Sequence, residues 1–297
     1  MNIKSAKGFI VYNRFLDNPR IQEQVSLFAC AAEQKGLRLL PTFGDALHYC
    51  MNGGFHSDEM PNFALFYDKD LPLARAMEAM GVRVFNSADA IALCDDKALM
   101  HITLCKHGCP VPKTIVAPKS YEPIGYTDLR FADAIAQELG LPFVAKYCVG
   151  SQGEQVSLVR NIQQLRDTLS GACGRGMLFQ QYIDRPGDIR VIVIGDQAVA
   201  AAQRFHPETD FRTNVALGGN VRTYQPTDRE ARLAVASALA MGLDFAGVDL
   251  IAGPDGPLVL EVNSNPQTMG VQACTGIDVS AAIIDHILLR LFSHNSR

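Results

Sequence analysis

Apolar residues in the first third of the chain alternate between short continuous runs and segments with helical spacing. Strands are predicted at 8–13, 37–43 and 61–68, where the residues are mainly aliphatic or aromatic. Helices are predicted at 21–36 and 71–81, and each ends at a glycine suited to a helix C-terminus. This strand–helix–strand order indicates βαβ units and therefore a parallel sheet.

The pattern changes after a further predicted strand at 82–86. Ser87 can cap a helix that runs to about Gly108, and two prolines follow it. Beyond them the predicted elements are strands at 141–149, 153–159 and 177–183, helices at 161–170 and 229–242, hairpins at 188–205 (turning at Gly195-Asp196) and 246–266, and a C-terminal helix at 279–292. We expect an α/β protein in three parts, 1–96, 97–187 and 188–297.

Composition narrows the class of protein. The chain has 297 residues, 48% apolar and 20% charged, which is typical of a folded globular protein. The net charge of −4 argues against a general electrostatic grip on nucleic acid. No run approaches the ~18 apolar residues of a membrane helix, the start lacks a secretory signal, and the eight cysteines are scattered. We therefore expect a cytoplasmic protein with reduced thiols and neither a nucleic-acid nor a membrane partner.

The predicted hairpin at 246–266 carries acidic residues inside apolar strands. Its turn, GPDGP, is symmetric about Asp255, and pairing on that centre places Asp249 opposite Glu261, with Cβ atoms about 5 Å apart. Asn263 points to the same face as Glu261. Facing carboxylates repel unless a cation lies between them, and all-oxygen ligands favour magnesium or manganese. The alternative is that both acids lie on a solvated face of the hairpin.

A second group of residues could bind phosphate. Lys146 lies in an otherwise uncharged strand, where its ammonium group calls for an anion. The loop that follows contains Gly150, Ser151, Gln152 and Gly153, whose backbone N–H groups could approach phosphate oxygens. The loop matches neither the Walker A motif nor the G-x-G-x-x-G motif. An ordinary hairpin turn is the alternative.

Other charged residues are ambiguous when each is taken alone. Asp188 and Arg190 share one face of their strand, and Lys97 follows two aspartates on a predicted helix. The polar stretch 206–227 exceeds the ~12–15 residues usual for a structureless loop, which favours a functional flap. A charged helix face and a solvated loop are the alternative explanations.

Several histidines and cysteines lie close together in the sequence: His101, Cys105, His107 and Cys109. Zinc sites have a different four-ligand spacing, so we expect helix-face and core residues here. The sequence also contains neither Gly-x-Ser-x-Gly nor His-Glu-x-x-His, and so has no motif for those hydrolase classes.

Eight short motifs follow one another from residue 95 to residue 266. In chain order they are DDK (95–97), PFVAKYCVGSQG (142–153), FQQYI (179–183), DIR (188–190), DFRTN (210–214), Gly218-Gly219, GVDL (247–250) and EVNSNP (261–266). This order resembles the ATP-grasp superfamily, and more closely its RimK-like branch, over roughly the C-terminal two thirds. The resemblance implies an ATP-grasp fold: a Rossmann-like pre-ATP-grasp domain at 1–96, a central lid subdomain at 97–187 and a subdomain with the metal ligands at 188–297.

The resemblance also implies roles for individual residues. In the family, lysines and a glycine-rich loop hold ATP phosphates, a short segment lines adenine and ribose, polar groups surround the γ-phosphate and acceptor, and oxygen ligands hold metal. The phosphate-binding lysines and loop match Lys97, Lys146, Gly150, Ser151, Gln152 and Gly153. The segment that lines adenine and ribose matches Gln181, Tyr182 and Ile183, with Asp188 nearby, and the polar groups match Arg190, Arg204, Arg212 and Asn214. The metal ligands match Asp249, Glu261 and Asn263. Gln181 departs from the glutamate usual in the family.

The activity implied by the resemblance is ATP-dependent carboxylate–amine ligation. An acyl-phosphate formed from ATP would react with an amino acid such as glutamate, giving an amide, ADP and phosphate. ATP, two magnesium or manganese ions, a homo-oligomer and a small-molecule, peptide or protein carboxylate acceptor follow from the same resemblance. Two alternatives are an ATP-grasp kinase that phosphorylates a small molecule and a non-catalytic ATP-binding module.

Overall fold

Three β-sheets organise the chain in the computed structural model. The structure describes residues 6–16, 18–51, 54–55 (backbone only), 60–150, 156–205 and 220–292. A minor two-stranded sheet pairs β3 (Tyr49–Cys50) with β4 (Gly54–Phe55).

The N-terminal sheet has four parallel strands in the order β2-β1-β5-β6. Its elements are β1 (Lys7–Tyr12), α1 (Pro19–Gln34), β2 (Arg38–Phe43), β5 (Phe63–Phe66), α2 (Leu71–Ala79) and β6 (Arg83–Phe85). β5 is buried along its whole length, as expected for a strand of a parallel sheet covered on both faces. The βαβ prediction from the sequence is therefore confirmed.

The next helical segment, predicted as one helix, is two: α3 (Ala88–Asp95) and α4 (Lys97–Lys106). The prediction was wrong because Asp96 adopts an extended conformation, with φ −95° and ψ 104°. Its carboxylate accepts hydrogen bonds from two amide groups in the first turn of α4, at 2.8 and 3.1 Å. The Lys97 amide then donates to the carbonyl of Cys148 at 2.8 Å, which fixes the start of α4 against the central sheet.

The central sheet is antiparallel, in the order β7-β10-β8-β9. Its elements are β7 (Thr114–Val116), α5 (Arg130–Leu139), β8 (Phe143–Tyr147), β9 (Val156–Val159), α6 (Ile162–Ala172) and β10 (Met177–Gln181). The sequence analysis missed β7 and α5. α5 is nevertheless amphipathic: Ala132 and Ile135 are buried, and Phe131, Ala136 and Leu139 pack against the same cluster. The helical spacing of these residues was therefore present in the sequence.

The C-terminal sheet has five antiparallel strands in the order β13-β12-β11-β14-β15. Its elements are β11 (Gly187–Ile194), β12 (Gln197–Phe205), β13 (Asn220–Thr223), α7 (Asp228–Ala240), β14 (Phe245–Gly253), β15 (Gly256–Asn263), α8 (Met269–Thr275) and α9 (Val279–Phe292). Both predicted hairpins are confirmed, and α9 has the predicted bounds. The predicted division of the whole chain into three parts remains a prediction.

The N-terminal and C-terminal sheets share one apolar core. Phe28 and Phe63 from the first sheet region lie in the same buried cluster as Ile192, Phe245 and Ile283. Packing of this kind fixes the two sheets relative to each other. In the part of the chain that the structure describes, no helix has the length and apolarity needed to cross a membrane. All eight cysteines are free thiols, as expected.

Asn86, which follows β6 and is fully buried, joins the N-terminal and C-terminal sheets. Its amide nitrogen donates to the carbonyls of Phe245 and Ser264, at 2.9 and 2.8 Å. Its side-chain oxygen accepts from the backbone amides of Asp244 and Phe245, at 2.6 and 3.3 Å. One side chain thereby satisfies backbone groups at the start of β14 and just after β15.

Replacing Asn86 by alanine should lower the free energy of unfolding by at least about 2 kcal/mol, because buried backbone groups lose their partners. Asn62→Ala is the matched control, since Asn62 accepts one exposed backbone bond, from Lys7 at 2.9 Å. Urea denaturation would measure both variants. Equal small losses would contradict the proposed joining role of Asn86.

Candidate active site

A cavity of about 850 Å³ is lined by residues on or next to strands of all three sheets. Every described residue in the predicted site lines it: Lys97, Lys146, Gly150, Gln181, Tyr182, Ile183, Asp188, Arg190, Arg204, Asp249, Glu261 and Asn263. Residues from distant segments therefore converge on one space. Five predicted site residues lie outside the described part of the chain: Ser151, Gln152, Gly153, Arg212 and Asn214.

The β14–β15 hairpin places Asp249 opposite Glu261, as predicted, but for a different reason. The turn is not centred on Asp255, because Gly253 pairs with Gly256. A β-bulge between Asp249 and Leu250 then shifts the register by one residue and restores the acidic pair. The pairing is confirmed, and the symmetric-turn argument for it is wrong.

Two arginines surround the buried carboxylate of Asp249, which is 4% exposed. Arg190 donates from Nε and Nη2 to its two oxygens, at 2.7 Å each. Arg204 binds Asp188 through Nε and Nη2 at 2.6 and 2.7 Å, and its Nη2 also lies 2.9 Å from Asp249 Oδ2. Paired guanidinium groups offset the cost of burying these charges.

The pKa values of this network follow from its pairing. Burial alone would raise the pKa of the Asp249 carboxyl group, but Arg190 and Arg204 hold it below its ordinary value. Burial alone would lower the pKa of Arg204, but Asp249 and Asp188 raise it well above its ordinary value. Asp249 and Arg204 are therefore both charged at neutral pH.

Two carboxylates and one amide offer oxygen atoms for a divalent cation. Asp249 Oδ2 receives two donors but Oδ1 receives one, which leaves Oδ1 a free lone pair. Glu261 pairs with Lys97 at 3.6 Å, and Asn263 donates through Nδ2 to Gly247 at 3.4 Å, which leaves Oδ1 as its acceptor. This donor set fits magnesium. The described residues form no cluster of three His, Cys, Asp or Glu side chains for a metal.

Lys97 lies at the first position of α4 and is buried. Its Nζ donates to the carbonyl of Gly150 at 2.6 Å and lies 3.6 Å from Glu261 Oε1. The lysine thus links the base of the glycine-rich loop to the acidic pair. An ammonium group in this position can neutralise an anion bound between the loop and the carboxylates.

Lys146 enters the same cavity from β8. Its Nζ donates to Gln180 Oε1, on β10, at 2.7 Å. Burial lowers the pKa of Lys146 to about 8, although Glu261 opposes this shift. Its electrostatic neighbours also include Lys97, which lowers the pKa, and Asp249 and Asp188, which raise it.

The end of β10 and the residues after it form another wall of the cavity. Gln181 is exposed, and its backbone amide donates to the backbone carbonyl of Lys113 at 2.8 Å. Tyr182 donates through its hydroxyl to Asp184 at 3.3 Å, and Ile183 presents an apolar surface. This mixture of apolar and polar groups suits a flat heteroaromatic ring and its sugar.

The sequence analysis missed the wall supplied by the N-terminal sheet. Asn13 and Asp68, after β1 and β5, line the cavity and are joined by a 3.3 Å hydrogen bond. Asn265 donates to the carbonyl of Asp68 at 2.8 Å, and Lys69 forms an ion pair with Asp95. This wall could have been predicted from the parallel sheet, because ligands of such sheets bind at the carboxyl ends of the strands.

Comparisons with known proteins define the class of fold first. An ATP-grasp RimK domain protein from Sphaerobacter thermophilus superimposes with a TM-score of 0.73, at 21% identity, over 95% of this chain and 99% of that one. The ATP-complexed D-alanine–D-alanine ligase from Bacillus anthracis gives 0.71, at 15% identity, over 98% and 100%. The fold is ATP-grasp, with a parallel N-terminal sheet as predicted for the pre-ATP-grasp domain.

Sequence comparisons identify the family. Residues 94–287 match the RimK-like ATP-grasp domain. A Stenotrophomonas maltophilia protein named "Probable alpha-L-glutamate ligase" is 36% identical over 217 residues, 72% of each chain. A Shewanella amazonensis protein named "Probable alpha-L-glutamate ligase 2" is 38% identical over 219 residues, 72% of this chain and 70% of that one. The chain belongs to the RimK-like ATP-grasp family, which confirms the predicted ligase class.

Proposed function

We propose that this protein uses ATP to join a carboxylate substrate to an amino acid such as glutamate, releasing ADP and phosphate. The observation that carries the proposal is the convergence of two lysines, two arginines and an acidic pair on one cavity. The names of the relatives support glutamate as the first amine to test. The acceptor can be a metabolite, a peptide or a protein terminus.

In the proposed reaction, the γ-phosphoryl group of ATP passes to an oxygen of the substrate carboxylate. Lys97 and Lys146 hold the phosphates, and Arg190 and Arg204, oriented by their carboxylate partners, stabilise the transferring group. The amine then attacks the acyl carbon, an amide bond forms, the bond to the phosphate oxygen breaks, and a proton leaves the nitrogen. No covalent bond to a protein side chain is needed.

Further details of the proposal rest on the family resemblance. Asp249, Glu261 and Asn263 would hold two Mg²⁺ ions, which when bound would neutralise phosphate charge. Gln181, Tyr182 and Ile183 would line adenine and ribose, with Asp188 nearby. By the same resemblance, Arg212 and Asn214, which lie outside the described residues, would contact the γ-phosphate and the acceptor.

The test is ADP release by the full chain with magnesium-ATP, first with glutamate and then with other amino acids, amino-acid pairs and a small-molecule extract. Mass spectrometry of each positive reaction should give a product heavier by one amino-acid residue, and hydroxylamine should trap the acyl-phosphate. A phosphorylated product stable to hydroxylamine would indicate a kinase. ATP binding without turnover in any mixture would indicate a binding module.

The pH dependence of ATP use should report on Lys146. Its lowered pKa of about 8 means that the free enzyme loses this positive charge as the pH rises through 8. The KM for ATP should therefore rise about tenfold between pH 7 and pH 9 if only the protonated form binds phosphate. Lys146→Arg should remove this rise because arginine stays charged. A wild-type KM that is constant over this range would contradict the assignment.

A further inference from the structure

A chain of buried and half-buried polar side chains ends at Lys146 and was not anticipated from the sequence. Lys146 donates to Gln180 Oε1 at 2.7 Å, and Gln180 Nε2 lies 3.0 Å from Thr114 Oγ1 and 3.2 Å from His101 Nε2. Thr114 in turn donates to the carbonyl of Pro112 at 2.7 Å. The members come from β8, β10, β7 and α4 and form what we call the Lys146 relay (Lys146, Gln180, His101 and Thr114).

The relay fixes which end of the Gln180 amide faces Lys146. The proton of Thr114 is already donated to Pro112, so its oxygen can only accept from Gln180. The Gln180 nitrogen only donates, so His101 Nε2 accepts and the ring proton is on Nδ1, where no described residue accepts it. With both amide protons used, the Gln180 carbonyl oxygen points to the ammonium group of Lys146.

The surroundings of His101 keep its imidazole ring neutral, which preserves the orientation of the Gln180 amide. Its side chain is 3% exposed, and burial together with the charges of Lys146 and Lys97 lowers its pKa to about 3. A protonated imidazole would present a second donor to the Gln180 nitrogen and would turn the amide over. The neutral ring therefore holds the orientation at all physiological pH values, and the sequence-based expectation of a simple core residue understates its role.

Lys146 needs such support because carboxylates compete for it. Glu261, Asp249 and Asp188 all attract its charge, and Lys97 repels it. An ammonium group bound by Glu261 would block an oxygen proposed to face the nucleotide and its metal. The Gln180 oxygen offers a neutral partner, which holds the ammonium group without neutralising it.

We propose that His101 and Thr114 are positioning residues that act through Gln180 to keep Lys146 directed at the nucleotide phosphates and away from Glu261. The inference rests on the proposed function, because it assumes that the cavity binds ATP. His101 and Thr114 have no role in the reaction chemistry itself. Their effect is confined to the affinity for the nucleotide.

The test compares two variants of Thr114, one that removes the hydroxyl group and one that keeps it. Thr114→Val removes the acceptor for Gln180 and should weaken Mg-ADP binding, measured by calorimetry, and raise the KM for ATP, each roughly five- to tenfold. The kcat at saturating ATP and the KM for the carboxylate substrate should stay near the wild-type values. Thr114→Ser keeps the hydroxyl and should restore wild-type affinity. His101→Phe should weaken binding in the same direction.

Thr42→Val is the matched control. Thr42 is also a strand threonine that donates to the carbonyl two residues before it, Leu40 at 3.1 Å, but it lies in the N-terminal sheet. Its variant should bind Mg-ADP like the wild type. Folded Thr114→Val protein with wild-type affinity, or equal losses in Thr114→Val and Thr114→Ser, would overturn the positioning role.

The two proposals fail in different ways. If the wild type binds Mg-ADP but makes no amide, the ligase proposal fails while the affinity comparison still decides the relay. If the wild type makes amide and Thr114→Val binds normally, only the relay fails. A wild type that does not bind Mg-ADP overturns both.

Discussion

Replacing Glu261 by glutamine should abolish ADP formation, with kcat falling at least ~100-fold, because one charged oxygen ligand of the proposed magnesium site is lost. The fold should remain intact. Glu261 lies at the cavity surface with its side chain 34% exposed, and its ion-pair partner in the described chain is Lys97 at 3.6 Å. Kinetics at saturating ATP and a thermal melt would measure the two effects separately.

Asp255→Asn is the control for Glu261→Gln. It makes the same change of charge at the exposed turn of the same hairpin, away from the cavity. We expect wild-type turnover from Asp255→Asn across a magnesium titration. Turnover by Glu261→Gln at the wild-type rate would reject Glu261 as a metal ligand.

Replacing Arg204 by methionine should lower the free energy of unfolding by ~3–5 kcal/mol at pH 7, in addition to its effect on activity. Arg204 contacts two buried carboxylates, so the change leaves Asp188 without its bidentate partner and Asp249 with Arg190 alone. Methionine has a similar length and cannot replace the charge. Chemical denaturation would measure the loss.

The pH dependence of this loss has a definite sign. The pKa of Asp249 is lower in the folded protein than the ordinary carboxyl pKa of about 4. Pairing with the arginines therefore stabilises the fold above about pH 4, and this stabilisation is lost as the pH falls through the lowered pKa. The difference in the free energy of unfolding between wild type and Arg204→Met should therefore become smaller as the pH falls below about 4.

Arg222→Met provides the comparison, because Arg222 is an exposed arginine on the adjacent strand and binds Gln203 at 3.0 Å. It should cost less than about 1 kcal/mol at any pH. An Arg204→Met effect that stays constant as the pH falls below about 4 would contradict the charge-pairing explanation.

The β14–β15 hairpin shows how far local sequence patterns reach. Alternating apolar residues, a Gly/Pro turn and two central acids predicted that Asp249 faces Glu261, but from a turn centre that the structure shows to be wrong. The β-bulge that sets the final register was not predictable, because a one-residue shift depends on how β14 packs against β11. In the same way, the sequence predicted a helix from Ser87 to about Gly108 but not its break at Asp96, which pairs with Val149 next to the central sheet.

The sequence by itself determined the elements whose signals are local: parallel strands in the first third, antiparallel hairpins in the last, and motifs whose order identifies an ATP-grasp protein. Only the tertiary structure decided which charges pair. Arg190 and Asp249 are 59 residues apart, Lys146 and Gln180 are 34 apart, and Gln180 and His101 are 79 apart. The partner of a buried charge is set by packing between distant segments, and the hydrophobic pattern that forms each segment carries no information about that choice.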